Sequence, residues 1–114
     1  MTRLKVRPVS VCPIANAARL LGDRWTLVIL RDLAEGPMRF SELESTSGGI
    51  SPRTLVDRLR EMENEGLISR ESFREIPPRV QYTLTEKGLA TLPVIDALRH
   101  FGESWLSEAE KQTC

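Results

Sequence analysis

Apolar residues recur at three- and four-residue spacing through most of this chain. The rhythm shortens to two residues in one place only, between Gly66 and Thr85. The longer spacing is one face of an α-helix and the shorter one is a strand. CPIANAARLLG predicts a first helix, with Pro13 in its opening turn and Gly22 at its end. DRWTLVILRDLAEGP follows at once. Asp23 suits its N-cap, Gly36-Pro37 stops it, and Trp25, Leu27, Val28, Ile29, Leu30 and Leu33 cover most of its circumference, which predicts a central buried helix. In RFSELESTSGG, Ser41 and Glu44 stand at the spacing of a capping box, so a short third helix is expected to end at Gly48-Gly49. Ser51 should cap a fourth helix, with Pro52 at its first position and Gly66 at its end; Leu55, Leu59 and Met62 form its buried stripe.

After Gly66, LISRESF and VQYTLT alternate as half-buried strands do. REIPPR between them holds two prolines, which cannot continue a ladder, so it reads as a long hairpin tip. Thr85 should cap a last helical region that Pro93 kinks or splits. Two helices joined by a glycine turn, then a hairpin, form a helix-turn-helix with a wing. The expected fold is α+β and mostly helical. It is one domain over 1–114, with the helix-turn-helix at about 41–66, a two-stranded wing at about 67–85 and a C-terminal helix at about 86–110.

The 114 residues carry 16 basic and 16 acidic side chains, so overall charge does not mark a nucleic-acid binder. Local patches must do so: Arg3, Lys5 and Arg7 lie near one end, Glu103, Glu108 and Glu110 near the other. No apolar run approaches the length of a membrane span, and no apolar stretch follows the basic N-terminal residues as a secretory signal would require; a cytoplasmic protein is expected. Cys12 and Cys114 are far apart in sequence and His100 is the one histidine, so a zinc site within the chain is not expected. No glycine-rich phosphate loop, nucleophile elbow or metal-ligand set occurs, which argues against an enzyme and against a cofactor.

CPIANAARLLGDRWTLVILRDLAEGPMRFSELE, GISPRTLVDRLREMENEGLISRE, PPRVQYTLTEKG and LPVIDAL together resemble the HxlR family of winged helix-turn-helix transcription regulators. The match runs over about residues 12–106 in the right order. Cys-Pro, WTLVILRDL, RFSEL, ISPRTL and PPRV in series carry it, while LTEKG is common among winged helices. The resemblance implies a homodimer that binds double-stranded operator DNA, with N- and C-terminal helices making the dimer contact. Some members respond to oxidants or electrophiles through the cysteine matching Cys12; others have no known signal.

Within such a fold the fourth helix enters the major groove N-terminus first. Ser51, Pro52, Arg53, Thr54, Asp57 and Arg58 are its candidate DNA-facing residues, because arginine reaches guanine O6 and N7 and threonine or proline carbons meet thymine methyl. The alternative is a solvated face on which Asp57 and Glu61 pair with the arginines. Arg60 fits either role. Arg74 and Arg79 flank the wing tip, suited to phosphate or the minor groove, or else guard an edge hairpin. Arg39 and Ser41 are candidate phosphate contacts, Ser41 equally a cap. Trp25, Phe101 and Trp105 read as core and dimer contacts, His100 as a surface or interface residue. The C-terminal apolar residues Leu92, Ile95, Leu98, Trp105 and Leu106 exceed what a small core hides, so an inverted-repeat operator bound by a homodimer is expected. Cys12 is a candidate redox sensor, because a helix N-terminus favours thiolate; the alternative is a small packed residue. A winged helix used only for protein–protein contact is the remaining reading.

Overall fold

The computed structural model describes residues 11–106. The expectations placed on Arg3, Lys5, Arg7, Glu108, Glu110 and Cys114 lie outside the described residues. The elements run α1 (Pro13–Leu21), α2 (Arg24–Leu33), β1 (Met38–Arg39), α3 (Phe40–Thr46), α4 (Pro52–Asn64), β2 (Ile68–Phe73), β3 (Arg79–Leu84), α5 (Glu86–Leu89) and α6 (Leu92–Trp105).

Local chemistry explains most boundaries. Asp23 Oδ2 accepts from the Thr26 N–H at 3.0 Å and caps α2. Ser51 Oγ accepts from the Thr54 N–H at 3.2 Å, with Pro52 in the first turn of α4. At the far end Gly66, at φ +78°, closes a double bond pattern: its N–H reaches Glu63 O at 3.0 Å and the Leu67 N–H reaches Met62 O at 2.9 Å. Thr85 Oγ1 caps α5 by accepting from the Gly88 N–H at 3.1 Å. Gly88 is buried, and a Cβ there would overlap the Leu67 carbonyl oxygen, so this close approach of α5 to the α4–β2 junction requires glycine.

The cap of α3 differs from the expected one, and one strand is added. The third helix is not capped by Ser41 with Glu44. It starts at Phe40, and Glu42 Oε1 accepts from the Arg39 N–H at 2.8 Å. The two-residue strand β1 delivers the chain into the helix early, so the carboxylate three residues beyond the new cap is Glu42. β1 itself was not foreseen: it pairs antiparallel with β3, Met38 opposite Tyr82 and Arg39 opposite Gln81, and makes the sheet three-stranded in the order β1-β3-β2. The expected hairpin is present as β2 and β3, with Ile68 opposite Leu84 and Phe73 opposite Arg79. The C-terminal helical region divides at Ala90-Thr91, Pro93 stands in the first turn of α6, and α6 ends at Trp105 with Leu106 extended.

One core joins these elements. Ile29, Leu30 and Leu33 of α2, Leu43 of α3, Leu55, Leu59 and Met62 of α4, Leu67 and Ile68, Leu84 and Ile95 are all buried. The α4 stripe is as the spacing predicted. The α2 helix is buried along one side only. Leu27 and Val28 stay half-buried, lining a groove against Ile95, Leu98 and Leu106. α1 contributes no buried residue.

Candidate nucleic-acid interface

α4 lies with one stripe in the core and its N-terminal end in solvent. Ser51, Pro52, Arg53, Val56, Asp57 and Arg60 are exposed. A helix turns about 100° per residue, so Asp57 lies about 40° and Arg60 about 20° from Arg53 around the axis. These three form one outward face. Arg53 has no ion-pair or hydrogen-bond partner among the described residues, so its guanidinium is available to a ligand. Thr54 is half-buried; its Oγ1 accepts from Ser51 Oγ at 2.9 Å.

Arg58 is differently placed. It lies about 140° from Arg53 on the same wheel, at the flank of the buried stripe. Its Nε donates to Asp23 Oδ2 at 2.9 Å and its Nη1 to Glu61 Oε1 at 3.3 Å. Of the two readings the sequence left open, pairing with Glu61 is therefore realised at Arg58. Asp57 makes no ion pair among the described residues. Burial pushes the Asp23 carboxyl up, but hydrogen bonds from the Thr26 N–H and from Arg58, with the Arg58 charge, outweigh it and hold Asp23 below its ordinary value. The hydrogen bond to Asp23 raises Arg58 in turn.

On the wing, Arg74 is exposed at the tip beside Ile76, Pro77 and Pro78. Arg79 is half-buried. Its guanidinium lies 4.2 Å over the Phe73 ring, and its Nε is 3.4 Å from Glu75 Oε2 without hydrogen-bond geometry. Arg39 is exposed at the start of α3, as is Ser41 one residue inside it. Arg70, on the exposed part of β2, was not among the candidates from sequence. It lines a groove with Arg60, Val56, Leu59, Glu63 and Tyr82 between α4 and the sheet. Its strand parity with Ile68 was the available signal, since that side of β2 turns to α4.

Cys12 is the N-cap of α1, half-buried, with its Sγ accepting from the Ala15 N–H at 3.5 Å. On α6, Val94, Leu98, Phe101 and Trp105 recur at spacings of four, three and four, and all are exposed, Trp105 at 77 %. His100 is exposed too. Trp25 is packed against the core with Arg24 over its ring at 4.4 Å. Among the described residues no three metal-ligating side chains converge, and no helix is long and apolar enough to cross a membrane.

The family model of the HxlR-like helix-turn-helix proteins matches residues 20–110. The chain belongs to that family. It is a helix-turn-helix transcription regulator. An uncharacterized HTH-type transcriptional regulator of Methanothermobacter thermautotrophicus is 41% identical over 100 residues, covering 88% of this chain and 76% of that one. Among solved structures, a Porphyromonas gingivalis W83 protein assigned to the MarR family of transcriptional regulators superposes with a TM-score of 0.85 at 34% identity, over 90% of this chain and all of the other. The reduced form of the transcriptional regulator YodB from Bacillus subtilis gives a TM-score of 0.73 at 37% identity, over 85% and 96% of the two chains. Diamide-treated YodB gives 0.70 at the same identity, over 85% and 97%. This HxlR-like chain therefore shares its fold with solved transcription regulators at 34% and 37% identity.

Proposed function

We propose that this HxlR-like protein is a cytoplasmic homodimer that binds an inverted-repeat operator by seating the α4 helix of each subunit in the major groove. The observation that carries the reading is Arg53, exposed at the free end of α4 and unpaired among the described residues. Arg53 reads a guanine edge, with Ser51, Pro52, Thr54 and Asp57 around it. Arg39, Ser41, Arg74 and Arg79 hold phosphate and set register. The row Val94, Leu98, Phe101, Trp105 on α6 supports dimerisation, because four large apolar side chains at coiled-coil spacing gain by meeting another such row. Two-fold symmetry then separates the recognition helices by about 34 Å or a multiple of it. The helix-turn-helix is about 41–66 and the wing about 67–85.

Selection of bound genomic DNA followed by footprinting tests this. A protected pair of half-sites with dyad symmetry is expected. Protection without symmetry, or binding to no duplex, overturns it and leaves a winged helix that contacts proteins.

Control by oxidants or electrophiles at Cys12 is a second proposal. It is supported by a half-buried thiol that receives a backbone N–H at the positive end of α1, and by the similarity to YodB, solved in reduced and diamide-treated forms. Diamide should change operator affinity, a reductant should reverse the change, and Cys12→Ser should bind DNA without responding. A full response in Cys12→Ser removes the proposal and leaves Cys12 as packing.

A further inference from the structure

α2 is fastened at both ends to the helix-turn-helix. At its last turn Asp32 Oδ1 accepts from Arg31 Nη2 at 2.8 Å, and Asp32 Oδ2 accepts from Thr46 Oγ1 at 2.8 Å, which ties α2 to the end of α3. At its first turn Asp23 Oδ2 accepts both the α2 cap bond from Thr26 and the 2.9 Å bond from Arg58 of α4. One carboxylate oxygen thus joins the start of α2 to the middle of the recognition helix, across 35 residues of chain.

We infer that Arg58 is a positioning residue: gripped by Asp23, it sets the rotation of α4 against α2, and so the aim of Arg53, without touching DNA. The inference rests on the reading of α4 as the DNA-contacting helix. Three features support it. The Arg58 guanidinium is already held on two sides, its Nε by Asp23 and its Nη1 by Glu61, and turning it toward a base edge would break both bonds. Its side chain is 27% exposed, flanking the core stripe, about 140° round the helix from Arg53. Its partner is an acid, which on its own repels phosphate. A helix held in the core by Leu55, Leu59 and Met62 alone can still roll about its axis, because apolar contacts are non-directional. A charged hydrogen bond at the flank of that stripe is directional and resists the roll.

The signs of the expected effects separate positioning from contact. Operator and unrelated duplex are titrated over a salt series with the full-length parent, Arg53→Ala, Arg58→Ala, Asp23→Ser and Asp23→Asn. Serine keeps an N-cap for Thr26 but is too short to reach Arg58; asparagine is isosteric and guards against loss of fold. Asp23→Ser and Arg58→Ala should each lose about tenfold in operator over non-operator discrimination, about 1.4 kcal/mol. The double variant should lose no more than either single one. The slope of log affinity against log salt should stay at the parent value in Arg58→Ala, whereas loss of a phosphate contact lowers it by about 0.9. Asp23→Asn should lose discrimination too, although removing a negative charge by itself strengthens attraction to DNA. The inference is overturned if both Asp23 variants bind as the parent does, or if Arg58→Ala lowers the salt slope like a phosphate contact. Parent-like discrimination in Arg53→Ala instead overturns the reading of α4, and is told apart because it leaves the coupling of Asp23 to Arg58 measurable.

Discussion

The two sides of this molecule solve the problem of apolar surface differently. On the α4 side every large aliphatic of the helix stripe is closed into the core, and the outward face is led by charge, Arg53, Asp57 and Arg60, with Val56 its one exposed aliphatic. On the α6 side only Ile95 is buried, and Val94, Leu98, Phe101 and Trp105 stand in solvent. Both helices are amphipathic with similar lengths, 13 and 14 residues. The difference teaches that amphipathicity does not say what an apolar face meets. For α4 it meets its own chain; for α6 it is left in solvent.

The same kind of change should therefore have opposite consequences on the two sides. Leu59→Ala removes a fully enclosed side chain and should cost about 2–5 kcal/mol of folding stability, read from urea unfolding. Its oligomeric state at micromolar concentration should not change. Phe101→Asp should leave the isolated chain's unfolding nearly untouched but convert a dimer to a monomer in sedimentation. Operator affinity should fall about 100-fold, as the second half-site loses its tethered partner. If Phe101→Asp unfolds the chain instead, the α6 face is core and the contrast collapses.

Within the α4 side a smaller contrast separates contact from support. Arg53→Ala should cost about 1–3 kcal/mol in operator binding and relax preference at one base pair per half-site, measured by competition with single-substitution operators. Arg74→Ala on the wing should weaken all duplexes alike and lower the salt slope by about 0.9. A base-specific loss at Arg74 with an even loss at Arg53 would exchange the roles of helix and wing.

The smallest effect expected is on acid stability. Asp23 is held below its ordinary value in the fold, so its contribution is complete above the unfolded value near 3.8 and disappears as pH falls through the lower folded one. Asp23→Asn should flatten that acid limb in thermal melts and leave the neutral pH range less changed. An acid limb identical to the parent's would show that Arg58 adds nothing to folding through this pair.

Much of this was legible before any coordinates. Caps announce themselves in adjacent residues, which is why Asp23, Ser51 with Pro52, and Thr85 were found at the starts of their helices. The Leu55, Leu59, Met62 stripe follows from helical period alone. Cys12 was expected at or next to a cap and is the N-cap of α1. Even the standing of Arg58 was partly available: on a helical wheel it flanks the stripe while Arg53 opposes it. What the wheel lacks is Asp23, since nothing local relates residues 35 positions apart.

Sequence by itself determined the order of the main helices and the hairpin, the stripe that α4 buries and the caps of α2, α4 and α5, because these depend on bonds and periods spanning three or four neighbours. Only the tertiary structure decided the rest. β1 is two residues long, too short for any period, and exists because β3 offers it an edge. That strand moved the cap of α3 from Ser41 to Arg39. Arg70 acquired a groove because β2 packs on α4. The division of α4's arginines between solvent and Asp23 was likewise decided by where α2 begins, since an ion pair forms wherever folding brings two charges within reach, however far apart they lie along the chain.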